Sequence, residues 1–342
     1  MVTLDRIKIL TDKKHIKSMD SDVATTILKS NIGKAIRYSQ KKPFNIYLNY
    51  SLQDDTCIIE FSSKLLLDCY PELINRNNIH KCFENLGNIG FCELDIDGIV
   101  HHSELLTCDV TRDISGIGQP DRLAMKSCLV NHNKFRVQKY GNSGYTVNKM
   151  VKTTNRQLRM IIYDKGKELR KKTNAEYLAM LSDADSLLSY FDGKFRVEAN
   201  INTKEQIRQL FHTENTDLMD VLNSDANPLL SLFDEVFVFP EELEQQNQEM
   251  PSPLSHPKLK TVKNALLLEA CEYDMEKVDL LLNNTLSPNT DKSKYRAELN
   301  KLLNSYPQPN KNIAVMKRVR HEIAKCNNCN NNETAHLMAE RE

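Results

Sequence analysis

Short runs of alternating apolar and polar residues recur through the first two thirds of this 342-residue chain, and pairs of them are separated only by tight turns. FNIYLNYS (44–51) and CIIEFS (57–62) flank a polar QDDT stretch, and KFRVQKY (134–140) and GYTVNKMV (144–151) flank Gly141-Asn142-Ser143-Gly144. A two-residue period predicts strands, and turns this short join only antiparallel neighbours, because parallel strands need a long crossover. Two further strands are expected at GFCELDID (90–97) and SELLTCDVTRDI (103–114), around a turn at Asp97-Gly98. QLRMIIYDKGKEL (157–169) keeps the β pattern to Asp164 and then turns helical, and FRVEANI (195–201) is a strand followed by a helix at KEQIRQLF (204–211). Helices are also expected over 71–87, from Pro71 to Gly87, and over 119–131, opened by Pro120. The expected class is α+β: one antiparallel sheet with helices packed on it, followed by a smaller α-helical C-terminal region.

Residues 240–260 are polar and punctuated by proline and read as a linker. Residues 1–239 are therefore expected as one domain, 261–325 as a helical C-terminal domain on the 3.6-residue spacing of its leucines, and the Asn-rich 326–342 as a disordered tail. Mean hydropathy is −0.51 and no apolar run is long enough for a bilayer, so a cytoplasmic protein without membrane contact is expected. Nine scattered cysteines do not suit a secreted disulfide scaffold.

The formal net charge of zero hides a segregation. Between Lys134 and Lys172 stand 12 lysines or arginines against two acids, whereas 209–257 holds 10 acids and no basic residue. The basic run leads into Tyr163, so Arg136, Lys139, Lys149, Lys152, Arg156, Arg159 and Lys167 are candidate contacts to DNA phosphates; a solvated face is the alternative. The strands around it carry unusual charge. Asp109, Thr111 and Asp113 share one face of theirs, Arg196, Glu198 and Asn200 share one face of another, and Tyr163 and Lys165 lie beyond the apolar Met160-Ile161-Ile162. Were these strands neighbours, one sheet face would gather carboxylates, a phenol, a lysine and an arginine. That set suits phosphodiester cleavage: a phenol of pKa ~10 needs activation, and carboxylates can hold Mg²⁺ or Mn²⁺ against a phosphate. Solvent-facing residues with surface ion pairs are the plainer alternative.

YDKGKEL (163–169) resembles the Tyr-x-Lys-x-x-Glu signature of the gene II type replication initiators of filamentous phages and the Tyr-x-Lys motif of rolling-circle plasmid Rep proteins. The stretch 144–165 resembles the paired strands before that motif, 194–211 their Arg-x-Glu strand and following helix, and 105–114 their Arg-x-Asp strand, with Thr107 in place of the usual arginine. The resemblance spans 105–211. It implies a Rep-like nicking domain in which Tyr163 attacks a single strand at an origin, forms a 5′-phosphotyrosine adduct, leaves a 3′-OH primer and later rejoins the strand. It further implies Asp109 and Glu198, with Asp113, as ligands of Mg²⁺ or Mn²⁺, Lys165 and Arg196 as phosphate or carboxylate contacts, and Glu168 in support. The partners would be single-stranded and origin double-stranded DNA. A host helicase is expected, since no phosphate-binding P-loop is present, and a homodimer is left open.

Other signals are thinner. Adjacent histidines in a strand point to opposite faces, so of His101-His102 only one, His102, is a candidate supporting residue, with a surface or hairpin role as the alternative. Cys326-x-x-Cys329, near His321 and His336, has metal-like spacing but no second pair, and the basic stretch 311–325 is a candidate DNA-backbone contact. Two readings compete with the initiator: a relaxase of a mobile element with the same chemistry, and a non-catalytic DNA-binding regulator on the same scaffold.

Overall fold

A computed structural model describes residues 2–19, 26–30, 33–115, 130–131, 134–141, 143–149, 158–237, 259–271, 275–287, 290–305 and 310–325. Twelve strands are present among them: β1 (Leu4–Asp12), β2 (Ile16–Met19), β3 (Thr26–Ser30), β4 (Gly33–Gln40), β5 (Ile46–Ser51), β6 (Thr56–Ser62), β7 (Cys92–Leu94), β8 (Glu104–Ile114), β9 (Phe135–Tyr140), β10 (Gly144–Lys149), β11 (Arg159–Asp164) and β12 (Phe195–Ile201). Ten form one sheet in the order β3-β4-β5-β6-β1-β8-β12-β11-β10-β9, and β2 pairs separately with β7. The neighbouring pairs from β3 through β10 are antiparallel. The α+β class and the hairpin at 44–62 therefore stand as expected, and β9 and β10 are neighbours at the end of the sheet.

The sheet's centre is where the sequence was least informative. β1 lies between β6 and β8, and its Ile7 and Ile9 are fully buried, so the N-terminal strand holds the two halves of the sheet together. Its register against β8 slips twice, between Leu4 and Arg6 and between Lys8 and Ile9; at the first slip Leu4 stands opposite Val110 and Arg6 opposite Asp109, leaving Asp5 as an extra residue. Such a bulge re-aims a side chain that strict alternation would send to the other face.

Two expected elements need correction. The helix expected over 71–87 is only α1 (Ile79–Gly87); before it lies a 3-10 segment, Ser63–Glu72. Asparagines hold the intervening chain: Asn78 Nδ2 donates to the Leu73 carbonyl at 2.7 Å, and the Asn77 amide donates to Asn75 Oδ1 at 2.9 Å. Such side-chain to backbone bonds compete with helix. The turn expected at Asp97-Gly98 is the first turn of α2 (Ile96–His102), with Asp95 as its N-cap accepting from the Gly98 amide. Asp and Gly serve N-caps and hairpin turns alike. Here a Cβ at position 98 would lie 2.6 Å from the His15 ring, so packing requires the glycine.

Downstream come α3 (Lys165–Leu169), α4 (Ala175–Leu178), α5 (Ala184–Tyr190), α6 (Lys204–Phe211), α7 (Leu218–Asn223) and α8 (Pro228–Val236). The C-terminal part is helical: α9 (Leu259–Ala270), α10 (Met275–Thr285), α11 (Lys292–Ser305) and α12 (Asn310–Ala324). Compactness divides the chain into one unit of 1–116, 138–232 and 323–342 and a second of 117–137 and 233–322. The second has its own small core of Leu268, Cys271, Val278, Leu282 and Leu299. In the first, Arg112 of β8 binds the Ile323 carbonyl at 3.0 Å and also that of Lys325. The expected helix at 119–131 lies outside the described residues except for 130 and 131. So do most of the linker 240–260, the tail 326–342 with Cys326, Cys329 and His336, and Lys152 and Arg156. No described helix is long and apolar enough to cross a membrane.

Candidate active site

Strand pairing assembles the expected face. Arg196 of β12 stands opposite Asp113 of β8 on one side and Tyr163 of β11 on the other. Glu198 stands between Thr111 and Ile161, and Asn200 between Asp109 and Arg159. The face is not solvated, however. The 63–72 segment and the 165–191 region cover it: Arg196 is 0% exposed, with Tyr70 and Phe191 rings 5.0 and 5.4 Å from its guanidinium carbon. A buried charge must be paired, and this one is. Arg196 donates to both Asp113 oxygens at 2.7 and 2.8 Å, to Asp5 Oδ1 at 3.1 Å and to the Tyr70 hydroxyl at 2.6 Å.

Tyr163 is 3% exposed. Its hydroxyl donates to Glu198 Oε1 at 2.8 Å and accepts from Lys165 Nζ at 3.3 Å. Lys165 reaches it because the chain passes from β11 directly into α3, capped by Asp164, whose side chain accepts from the Lys167 amide at 2.9 Å. Glu168, one helical turn on, holds Lys165 Nζ at 2.9 Å and is itself held by Asn174. Gly144 of β10 lies beneath: a Cβ there would stand 2.5 Å from Tyr163 Cβ and 2.1 Å from the Ile162 carbonyl oxygen. Over the phenol lies Tyr140, its ring centroid 5.3 Å away.

Burial and charge set the protonation of this cluster. Burial, then the Glu198 charge, push the Tyr163 phenol well above its ordinary value against the opposing pull of Arg196. Glu198 is pushed up to about 8, first by burial and then by the charge of Asp5, with Lys165 and Arg196 opposing. Burial would raise Asp5 as well, but Arg196, Lys165 and the hydrogen bond from Ser63 Oγ at 2.5 Å hold it below the carboxylate range. Two carboxyls this close oppose each other's ionisation, and the one without its own cation, Glu198, is the one held toward its neutral form. Glu168 falls to about 2, because Lys165 and Lys64 outweigh its burial.

The expected site residues divide accordingly. Tyr163, Lys165, Glu168, Glu198 and Arg196 come together. Asp113 joins them through Arg196. Asp109 is held elsewhere: Arg6 binds it at 2.9 and 3.2 Å and Asn200 at 2.7 Å, and burial raises its pKa despite both. Asp109 and Asp113, one arginine on each, do not converge with Glu198 on one point. Among the described residues no three His, Cys, Asp or Glu side chains are grouped to hold a metal ion. The guanidinium on Asp109 comes from β1, while Thr107 stands opposite Lys8. His102 ends α2, exposed, and its ring stacks 6.0 Å from that of His15; the strand argument for it does not apply. Arg136, Lys139 and Lys167 are exposed, and Lys149 and Arg159 are half-buried.

Sequence reasoning missed Asp5, Arg6, Ser63, Tyr70, Lys64 and Asn174. Only the alternation of Ile7, Ile9 and Thr11 in the N-terminal segment signalled a strand there. No family model, curated protein or solved structure matches the chain.

Proposed function

We infer that this chain is a DNA-nicking enzyme of the rolling-circle type, built on a Rep-like nicking domain, with Tyr163 as nucleophile on single-stranded DNA. One observation carries the reading: the Tyr163 hydroxyl lies 2.8 Å from Glu198 and 3.3 Å from a lysine that Glu168 fixes in place. A structural tyrosine needs one such partner; a base on one side and a cation on the other suit a nucleophile. The phenol oxygen would attack phosphorus as its proton passes to ionised Glu198. The bond to the 3′ oxygen breaks, giving a 5′-phosphotyrosine and, after protonation from water, a 3′-OH. The same steps reversed rejoin a strand. Lys165, as a point charge, would stabilise the charge gathering on the phosphate.

Mg²⁺ or Mn²⁺ belongs to the proposal as the expected cofactor, but Asp109, Asp113 and Glu198 as placed do not fit one ion. The test is a denaturing gel of protein with 5′- and 3′-labelled origin oligonucleotides, with EDTA and with Mn²⁺. Covalent label transfer from the fragment downstream of the nick supports the reading; its absence for every origin strand sinks it. A second reading, a non-catalytic DNA-binding regulator, gains from the closure of Tyr163 and its raised pKa. It predicts sequence-specific binding without an adduct.

A further inference from the structure

Tyr163, Lys165 and Glu198 are 3, 3 and 7% exposed, so a phosphodiester cannot reach the phenol oxygen in this arrangement. Most of what surrounds them cannot move without unfolding: strands on either side, Gly144 beneath, and a fully buried arginine network. Tyr140 differs. It is the last residue of β9, the terminal strand of the sheet, and it precedes Gly141, which adopts φ +52°. Its ring is only half-buried, lies 5.3 Å from the Tyr163 ring at 53°, and feels the charges of Glu198, Glu168 and Lys165. Two cations lean on it: the Arg159 guanidinium and Lys171 Nζ, each 5.9 Å from the ring centroid. Neither pairs with a carboxylate among the described residues.

We propose that Tyr140 is a displaceable cover on Tyr163, and that a nucleotide of single-stranded DNA takes its place, its base against the Tyr163 ring and its phosphates on Arg159 and Lys171. The exchange is chemically matched. A base is a flat π-face like the phenol it replaces, and cations resting on an aromatic ring pass readily to a phosphate, a stronger partner. A duplex presents no unstacked base and would not open the cover, so single strand is the substrate the geometry selects. Displacing the cover reduces the apparent affinity for DNA by the fraction of molecules that are open.

The inference rests on the nicking reading for its substrate, but the cover can be tested without catalysis. Tetranitromethane labelling of the full-length protein, mapped by mass spectrometry, reports access to Tyr163. Tyr163 should label slowly in the native protein and in Y140F, which keeps the ring. It should label several-fold faster in Y140A and at an intermediate rate in Y140L, with circular dichroism unchanged. On a short single-stranded oligonucleotide, Y140A should lower KM several-fold with kcat little altered. Equal labelling of Tyr163 in folded Y140L, Y140A and native protein overturns the cover. A raised KM in Y140A with labelling unchanged overturns it too, and makes Tyr140 an ordinary contact. If labelling responds as stated but no variant and no native protein forms an adduct, the cover stands and the nicking reading falls.

Discussion

Tyr163 occupies a position where one oxygen decides the outcome. Tyr163→Phe keeps the ring packed between Tyr140 and Gly144 and removes only the hydroxyl that bridges Glu198 and Lys165. It should abolish the covalent adduct while leaving oligonucleotide binding, read by anisotropy, within a few-fold. The proton on Glu198 gives a pH signature. With its pKa pushed up to about 8, the carboxyl is neutral below that and accepts a proton only above it, so adduct formation should rise through about pH 8. Stability should move the other way. A folded pKa above the ordinary value contributes stability that is fully present at low pH and is lost as pH rises through about 8. Urea midpoints should therefore fall between pH 5 and 9, and E198Q should flatten that slope and abolish the adduct. An unchanged slope in E198Q would place the buried proton elsewhere. Tyr163, Lys165, Glu168, Arg196 and Glu198 were legible in the sequence because each lies in a short motif whose spacing reports its face. Asp5 was not: it stands 191 residues from Arg196, and only a slipped register turns it onto the same face as Arg6.

Between elements, the site depends on how closely strands approach and how the buried charge is held. Gly144→Ala would press a methyl group against β11 backbone, since its Cβ would stand 2.1 Å from the Ile162 carbonyl oxygen. A loss of about 1–3 kcal/mol in urea denaturation is expected from such overpacking, with a drop in adduct yield as Tyr163 shifts. Arg196→Met should cost about 3–5 kcal/mol, because Asp113 and Asp5 would be left buried without their cation. If R196M unfolds no more easily than the native protein, the network is not structural. Asp109→Asn, in the same way, should act through its Arg6 contact: lower stability, with no change in the metal dependence of cleavage. The strands around the site were readable because a two-residue period survives even where both faces are buried. The helix α2 was misread because Asp and Gly favour a turn and an N-cap alike; Asp95 caps it, and the His15 ring, from a distant segment, packs against Gly98.

For the whole molecule, recognition and cleavage should separate along the chain. A chain ending at Phe239 should still form an adduct with single-stranded origin oligonucleotides, since the gathered residues all precede Asn202. It should bind duplex origin less well and with a shallower salt dependence, having lost the basic helix α12, at roughly one unit of slope per phosphate contact. It also loses the carbonyls that Arg112 and Asn227 bind at Ile323, so a small fall in its stability is expected as well. A folded truncated chain that leaves single strands uncleaved would make the C-terminal part necessary to the site. The amino-acid sequence by itself determined the α+β class, the hairpin at 44–62, the strand-to-helix passage at Asp164 and the alternation that sets Arg196 and Glu198 on one face of their strand. These follow from local periodicity, turn chemistry and capping, which a few neighbouring residues dictate. Only the tertiary structure decided that β1 is central, that Asp5 joins Arg196, that Asp109 belongs to Arg6, and that the charged face is buried rather than wet. Those outcomes depend on which strand lies beside which and on what covers the sheet, and side-chain pairing across such distances leaves no mark in the local pattern.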